Sequence, residues 1–352
     1  MERPSYLLPA TCIAFGVALP FIILEIAVRA HLFDAKPVRG DRPKHYYLPI
    51  DSGTERDYAY STVKPPNTFR IAIVGDSFTF GDFVQFDDTF PKRLERWLNF
   101  NKRSIKVEVL NLSKPGYSSA DEDPLVQYAA TKLSADLVLL EYTLNDPEIV
   151  PYRANRKIVH GQVEFDSELF KIWRGLGFIM TRYSNWKSRR EFQQYYFDLF
   201  DKPETWNRCV GALTHMRNVT TEQHVRFAAV VFPLFNTPLD ETYPYRPLHQ
   251  KVMEEFSQLG VPALDLYDAF SGIPNERLEV VPGENGHPDE IAHRIAAESI
   301  YSWFKRRHLV SAEFFARQGS KPRQIYNPYT INAGAEDVPA PPENKVSGTD
   351  KN

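Results

Sequence analysis

The feature that most restricts the fold of this chain is an alternation of short β-rich runs with stretches whose apolar residues recur at helical spacing. Phe69–Val74 is a β-rich run, and after a loop Phe90, Leu94, Trp97 and Leu98 fall on one helical face. Ile105–Leu110 alternates as a strand, Leu125–Leu133 can be helical, and Leu137–Tyr142 reads as a buried strand. The pattern resumes with Val225–Phe232 as a strand and with Leu248, Val252, Phe256 and Leu259 on a helix face. It ends with Val261–Leu266 as a strand and a last helix striped by Ile291, Ile295, Ile300, Trp303 and Phe304. Strands that alternate with helices bury their apolar faces as a parallel sheet covered on both sides. The expected fold class is therefore α/β, a three-layer α/β/α arrangement around a central parallel sheet.

Residues 67–310 carry this pattern. Within them, a segment of about 147–202 breaks it and is dense in aromatic and basic residues, among them Trp173, Tyr183, Trp186, Tyr195 and Tyr196, and reads as an insertion. Such aromatic residues are more often core than substrate contacts. Residues 34–66 read as a linker. Residues 311–352 form a carboxyl-terminal extension, rich in Pro, Asn, Gly and charge from about 321 and expected to be disordered there.

The chain opens with a nearly continuous apolar run from Tyr6 to Val28, long enough for a transmembrane helix of about 20 residues. Glu25 and Arg29, four apart in the favourable acid-then-base order, would sit at the headgroup level. Length and terminal charge favour an uncleaved anchor over a cleaved signal peptide, so residues 1–33 are expected to be a membrane anchor. The basic residues Arg29, Lys36, Arg39, Arg42 and Lys44 after the run would by themselves keep the main domain cytoplasmic, against the placement reached below.

Composition narrows the function classes. The sequence has 352 residues, with 42 basic against 45 acidic and a net charge of −3, which gives no footprint for nucleic acid. Its two cysteines, Cys12 and Cys209, make no disulfide framework. No paired His or Cys spacing suggests a metal, and the Gly75–Gly81 turn lacks the Gly-Lys-Ser/Thr ending of a phosphate loop. Neither a metal nor another cofactor is expected.

In open parallel sheets, ligands bind beyond the carboxyl ends of the strands. After the first strand, Gly75-Asp76-Ser77-Phe78-Thr79-Phe80-Gly81 places a serine on a glycine-bounded turn. After the second comes Asn111-Leu-Ser-Lys-Pro-Gly116, and after the third Thr143-Leu-Asn145-Asp146. Glu284-Asn285-Gly286-His287-Pro288 leads into the last helix, with Pro288 suited to its first turn and Asp289 and Glu290 favourable beside its amino end. Taken singly, Ser77 reads as an ordinary turn serine. His293, on the last helix itself, reads as a packed histidine.

With all four blocks in order, the sequence resembles the SGNH (GDSL-like) hydrolase family, in the form of its membrane-anchored bacterial envelope members. The match runs from about Phe69 to Phe304. The resemblance implies a flavodoxin-like SGNH hydrolase fold joined to one amino-terminal transmembrane helix. It further implies a serine esterase with Ser77 as nucleophile, His287 as base and Glu284 as the orienting acid, with Asn285 the alternative orienting group. The oxyanion hole would comprise the backbone N–H groups of Ser77 and Gly116 and the amide of Asn145, and Asp76 and Asp146 would hold these loops in place.

The implied substrate is an acylated carbohydrate, or another small ester, in the cell envelope. The domain would be membrane-anchored and periplasmic or extracellular. An O-acyltransferase using the same residues and a non-catalytic polysaccharide-binding protein are the rival readings.

Overall fold

A computed structural model of the chain describes residues 7–33, 57–100, 104–150, 173–281 and 285–315. The apolar runs become β1 (Thr68–Gly75), β2 (Lys106–Ser113), β3 (Leu137–Tyr142), β4 (Arg226–Val231) and β5 (Ala263–Asp265). They form one parallel sheet in the order β2-β1-β3-β4-β5. Ile71, Ile73, Val74 and all of Leu137–Leu140 are fully shielded from solvent, as strands covered on both faces must be.

Helix α1 spans Leu7–Arg29. Four others stand beside the first three strands or follow them: α2 (Ser77–Phe80), α3 (Phe90–Leu98), α4 (Ser119–Thr131) and α5 (Arg174–Asp201). They are followed by α6 (Pro203–Glu222), α7 (Arg246–Gln258), α8 (Tyr267–Phe270) and α9 (Glu290–Arg307). One layer holds α3, α8 and α9, where Phe90 and Phe270 pack on Phe232 at the end of β4. The other holds α4, α6 and α7, where Cys209 and Phe256 meet Tyr142 of β3. A small antiparallel ladder, β6 (Glu279–Val281) with β7 (Asn285–Pro288), lies just before α9.

Most boundaries predicted from periodicity agree with these elements to within a few residues. The segment from 147 is the exception. Its described part is helical from Arg174 to Asp201, and Pro203, suited to the first turn of a helix, starts α6 directly afterwards. Residues 151–172, most of the 34–66 linker and the extension beyond 315 lie outside the described residues.

The composite fold class read from the sequence, a flavodoxin-like SGNH hydrolase fold with a transmembrane helix, needs correction. Among the described residues no helix is long and apolar enough to cross a membrane. Helix α1 forms over Leu7–Arg29, but Pro20 lies inside it and its last turns carry Glu25 and Arg29. That end is engaged by the chain itself. The Glu25 carboxylate accepts hydrogen bonds from the backbone N–H groups of Arg174 (3.2 Å) and Gly175 at the start of α5, and from Arg29 Nε at 2.6 Å. Phe33 stacks on Phe178, with ring centroids 5.0 Å apart. The membrane partner and the membrane-anchored, periplasmic or extracellular placement built on that anchor lose their basis with it.

Two devices finish the sheet. At the amino ends of the strands, Arg70 of β1 is fully buried and donates to Glu108 of β2 (2.9 Å) and to the carbonyls of Leu133 (2.8 Å), Ser61 (2.9 Å) and Thr62 (3.2 Å). A buried guanidinium is tolerated only with its donors so occupied.

The free edge of β2 is closed by side chains instead of another strand. Asn99 bonds both the N–H and the carbonyl of Val107, Glu95 accepts from Val109 N (2.8 Å), Lys92 Nζ donates to Val109 O (2.6 Å), and Asp57 accepts from Asn111 N (2.7 Å). An edge occupied in this way from Val107 to Asn111 N is a poor template for pairing with another chain. Lys92 and Asp57 are themselves a buried ion pair at 2.6 Å, 3% and 2% exposed. Burial pushes the Asp57 carboxyl upward, and the Lys92 charge opposes that. Replacing Lys92 by Met should therefore cost about 3 kcal/mol of unfolding free energy in urea, since it strands a buried carboxylate. A loss below about 1 kcal/mol would show that the pair contributes little.

Candidate active site

The site is assembled at the carboxyl end of the sheet. β1 ends at Gly75, and Asp76 caps α2 by accepting from Phe78 N at 2.8 Å. This places Ser77 in the first turn of a short helix that Gly81, at φ +72°, closes in the left-handed conformation that glycine adopts without penalty. Gly75 has a different reason for lacking a side chain. A Cβ there would lie 2.6 Å from Glu141 Oε2 and 2.4 Å from Thr79 Oγ1, closer than atoms can pack.

His287 arrives from the other end of the chain on β7, held by the β6–β7 ladder. Asp289 N then donates to Leu278 O at 2.7 Å. Asp289 is the N-cap of α9 and accepts from Ile291 N (2.8 Å) and Ala292 N (2.9 Å), which leaves Pro288 at the end of β7, one residue ahead of the N-cap and not in the first helical turn expected for it. The outcome is a 2.9 Å hydrogen bond between Ser77 Oγ and His287 Nε2 across 210 residues of sequence. Phe78 packs its ring 5.6 Å from the imidazole and Phe83 6.3 Å from it. Phe83 adopts φ +64°, which is rare for a bulky residue.

Asn145 lies in the turn after β3, and its amide Nδ2 donates to Asp76 Oδ2 at 3.0 Å. Thr143 Oγ1 reaches the same oxygen at 3.1 Å and also bonds the Asn145 side-chain oxygen. Asp76 is thus shared between the cap of α2 and the amide of Asn145. Asp146 ties the same turn to α4, accepting from Thr143 N (2.7 Å) and from Ser119 Oγ (2.6 Å). Gly116, at φ +79°, is exposed in the loop after β2, and Lys114 N of that loop donates to Gly75 O at 3.2 Å.

Ser77, Asp76, Asn145, Asp146 and His287 are therefore joined by hydrogen bonds or by the turns they share, and Gly116 is on the neighbouring loop. Glu284 lies outside the described residues. His293 is separate from this group. Fully buried, it stacks on Phe90 and accepts from Phe90 N at 3.2 Å, which caps α3. Of the aromatic residues after 147, Tyr196 is buried against Tyr245, Tyr195 donates to Glu148 at 2.7 Å, and Tyr183 and Trp186 stack on each other in the open.

Three acidic residues near this centre were not singled out from the sequence. Asp82, next to the Ser77 turn, acts on His287 through its charge. Glu141 and Glu122 are buried behind Asp76 and Asp146. Only Glu141 carries a sequence signal, a carboxyl group inside an otherwise apolar strand.

No protein-family model matches the sequence, and no curated protein does. Solved structures that overlap the chain include a two-domain esterase active on acetylated mannans, 14% identical with a TM-score of 0.39, where the match covers 68% of this chain and 49% of that one. This chain thus spans about half the length of that protein. An acetylxylan esterase from Geobacillus stearothermophilus overlaps at 13% identity and TM-score 0.42, covering 71% of this chain and 97% of that one. An alpha/beta hydrolase enzyme from the metagenome of Lake Arreo, Spain, does so at 15% identity and TM-score 0.41, covering 66% and 94%. Overlaps this loose fix neither a family nor the role of any residue. The expected SGNH (GDSL-like) membership, and with it an SGNH-type enzyme assignment, is corrected accordingly: no family model supports it.

Burial holds the His287 imidazole below its ordinary value of 6.5, while the charges of Asp82 and Asp76 act in the opposite direction. The ring is thus neutral at pH 7, the form able to accept a proton from Ser77. A proton NMR titration of His287 should place its midpoint below 6.5, and Asp82→Asn should move it lower still. An unchanged or higher midpoint in Asp82→Asn would contradict the electrostatic role of Asp82.

Proposed function

We propose that this chain is a serine hydrolase that cleaves acyl esters, with acetylated carbohydrate as its substrate class. The observation that carries this reading is the 2.9 Å contact between Ser77 Oγ and His287 Nε2. A serine hydroxyl is a weak nucleophile until a base within hydrogen-bond reach removes its proton, and a neutral imidazole at this distance supplies one.

The reaction follows from the arrangement. Ser77 Oγ attacks the ester carbonyl carbon as its proton passes to His287 Nε2, and the carbonyl oxygen becomes an oxyanion. The backbone N–H groups of Ser77 and Gly116 and the Asn145 amide donate to that oxyanion. Asp76, holding one proton of the Asn145 Nδ2 group, leaves the other for the substrate. His287 returns its proton to the departing alcohol, and an acyl-Ser77 remains. A water molecule, deprotonated by His287 in turn, attacks the acyl carbon; the bond to Ser77 Oγ breaks, His287 returns the proton to Ser77 Oγ, and the acid leaves. Glu284 is the orienting carboxylate in this proposal.

The surroundings suit a short acyl group on a polar carrier. Lys114, Pro115 and Gly116 are exposed on the loop tied to Gly75, so the rim beside the Ser77 turn is open on that side, with Lys114 as its charged group. A long acyl chain would need a deep apolar groove, which gains about 0.8 kcal/mol per buried methylene.

Turnover of p-nitrophenyl acetate and of acetylated xylo-oligosaccharides tests the reading. Ser77→Ala and His287→Ala, with folding verified by circular dichroism, should each lose about 10³-fold or more in kcat. Asn145→Ala should lose about 10²-fold in kcat with KM little changed, because the amide acts on the oxyanion and not on the ground-state ester. Undiminished turnover in folded Ser77→Ala would end the serine mechanism.

A further inference from the structure

Behind the Ser77 turn the fold encloses four carboxyl groups from four places in the chain. Asp76 follows β1, Glu122 is in the first turn of α4, Glu141 is in β3, and Asp146 is in the turn after β3; all are 2% exposed or less. Among the described residues, none of the four is paired with a lysine or arginine. So many carboxylates cannot all be ionised in a space without countercharge.

The groups differ in what they hold. Asp76 accepts from Phe78 N, Thr143 Oγ1 and Asn145 Nδ2, and Asp146 from Thr143 N and Ser119 Oγ. Glu141 is placed otherwise. Its Oε2 accepts from Thr79 Oγ1 at 3.0 Å and lies 3.3 Å from Asp76 N, while its Oε1 has no hydrogen-bond partner. Thr79 and Asp76 flank Ser77 within a single helical turn, and the space their contact with Glu141 occupies is the space a side chain at Gly75 would need.

We propose that Glu141 is a positioning residue of the active site that works as a neutral carboxylic acid, bracing Ser77 from behind through Thr79 and the Asp76 amide. The proposal rests on the reading of Ser77 as nucleophile. A carboxyl oxygen accepts these two hydrogen bonds in either protonation state; they favour the ionised form, but burial and the neighbouring acids outweigh them. Ionisation would add a negative charge facing Asp76, Asp146 and Glu122, close to the place where the oxyanion forms. Burial first, and then the charges of Asp76 and Asp146, push the Glu141 carboxyl well above its ordinary range, in agreement with the geometry.

A positioning role through the neutral acid makes a distinction that mere packing does not. Glutamine keeps the accepting oxygen and has no proton to lose. The wild-type native state retains the Glu141 proton above pH 4.5, where the unfolded chain releases it, so wild-type stability falls as pH rises from there towards the raised native value. Glu141→Gln is exempt from that loss.

The test uses the full chain with Glu141→Gln, Glu141→Ala and Thr79→Val, reading Tm from pH 5 to pH 8 and kcat and KM on p-nitrophenyl acetate. The Tm of Glu141→Gln minus that of wild type should grow with pH. Glu141→Ala and Thr79→Val should lose about 10- to 100-fold in kcat with KM within about threefold, the size of effect a misplaced nucleophile produces, and Gln should restore what Ala loses. Thr79→Val carries the activity arm if Glu141→Ala does not fold. A Tm difference independent of pH, a Gln variant as impaired as Ala, or full kcat in Thr79→Val would each overturn the proposal. If wild type does not turn over esters, the functional reading fails, and the Tm slope still decides the protonation state of Glu141.

Discussion

The Asp76 carboxylate is the point on which the site depends. One of its oxygens caps the helix that carries Ser77, and the other holds the Asn145 amide and the Thr143 hydroxyl. The turn of the candidate nucleophile after β1 and the candidate oxyanion donor after β3 are thereby fixed to one another and not merely to their own strands. Because β1 and β3 are adjacent in the sheet, this link is short. His287 comes from a separate ladder near the carboxyl end, and its position depends on Asp289, which both joins the ladder to Leu278 and caps α9. Preorganisation of this kind lets a catalytic group meet a developing charge without rearranging first.

The sheet itself was readable because strands buried on both faces have little choice of residue. Leu137–Tyr142 was legible to the residue, and β1, β2 and β4 nearly so. The segment after 147 was harder. Helix α5 mixes exposed Ile179, Met180 and Tyr183 with buried Tyr196, Leu199 and Phe200, so no single apolar stripe marks it. The apolar run at residues 6–28 misled for a related reason. Local composition suggests a lipid partner, while the contacts of Glu25 with the start of α5 come from residues some 150 positions away, which no window on the sequence contains.

The site was legible in part. Gly75-Asp76-Ser77 and Asn145-Asp146 stood out because tight turns after strands demand particular residues, and the structure brings these turns and His287 together. The roles given to them belong to the proposed mechanism. Asp82 and Glu122 were hidden, since a carboxylate on a turn or in the first turn of a helix has an ordinary explanation as a solvated or capping group. Glu141 interrupted an apolar strand, and only the fold reveals that its neighbours are three further carboxyl groups. Burial rather than type makes these acids unusual, and Asp146, pushed up to about 8 chiefly by desolvation, illustrates it.

The central claim is that Ser77 is an activated nucleophile. Labelling of the folded chain with a fluorophosphonate probe, followed by peptide mass spectrometry, tests it most directly, because the probe reacts only with a serine whose proton is being removed. The account requires a single phosphonyl adduct on the Ser77 peptide, lost in His287→Ala and on denaturation. A folded protein that leaves Ser77 unlabelled, or that is labelled equally without His287, would contradict it.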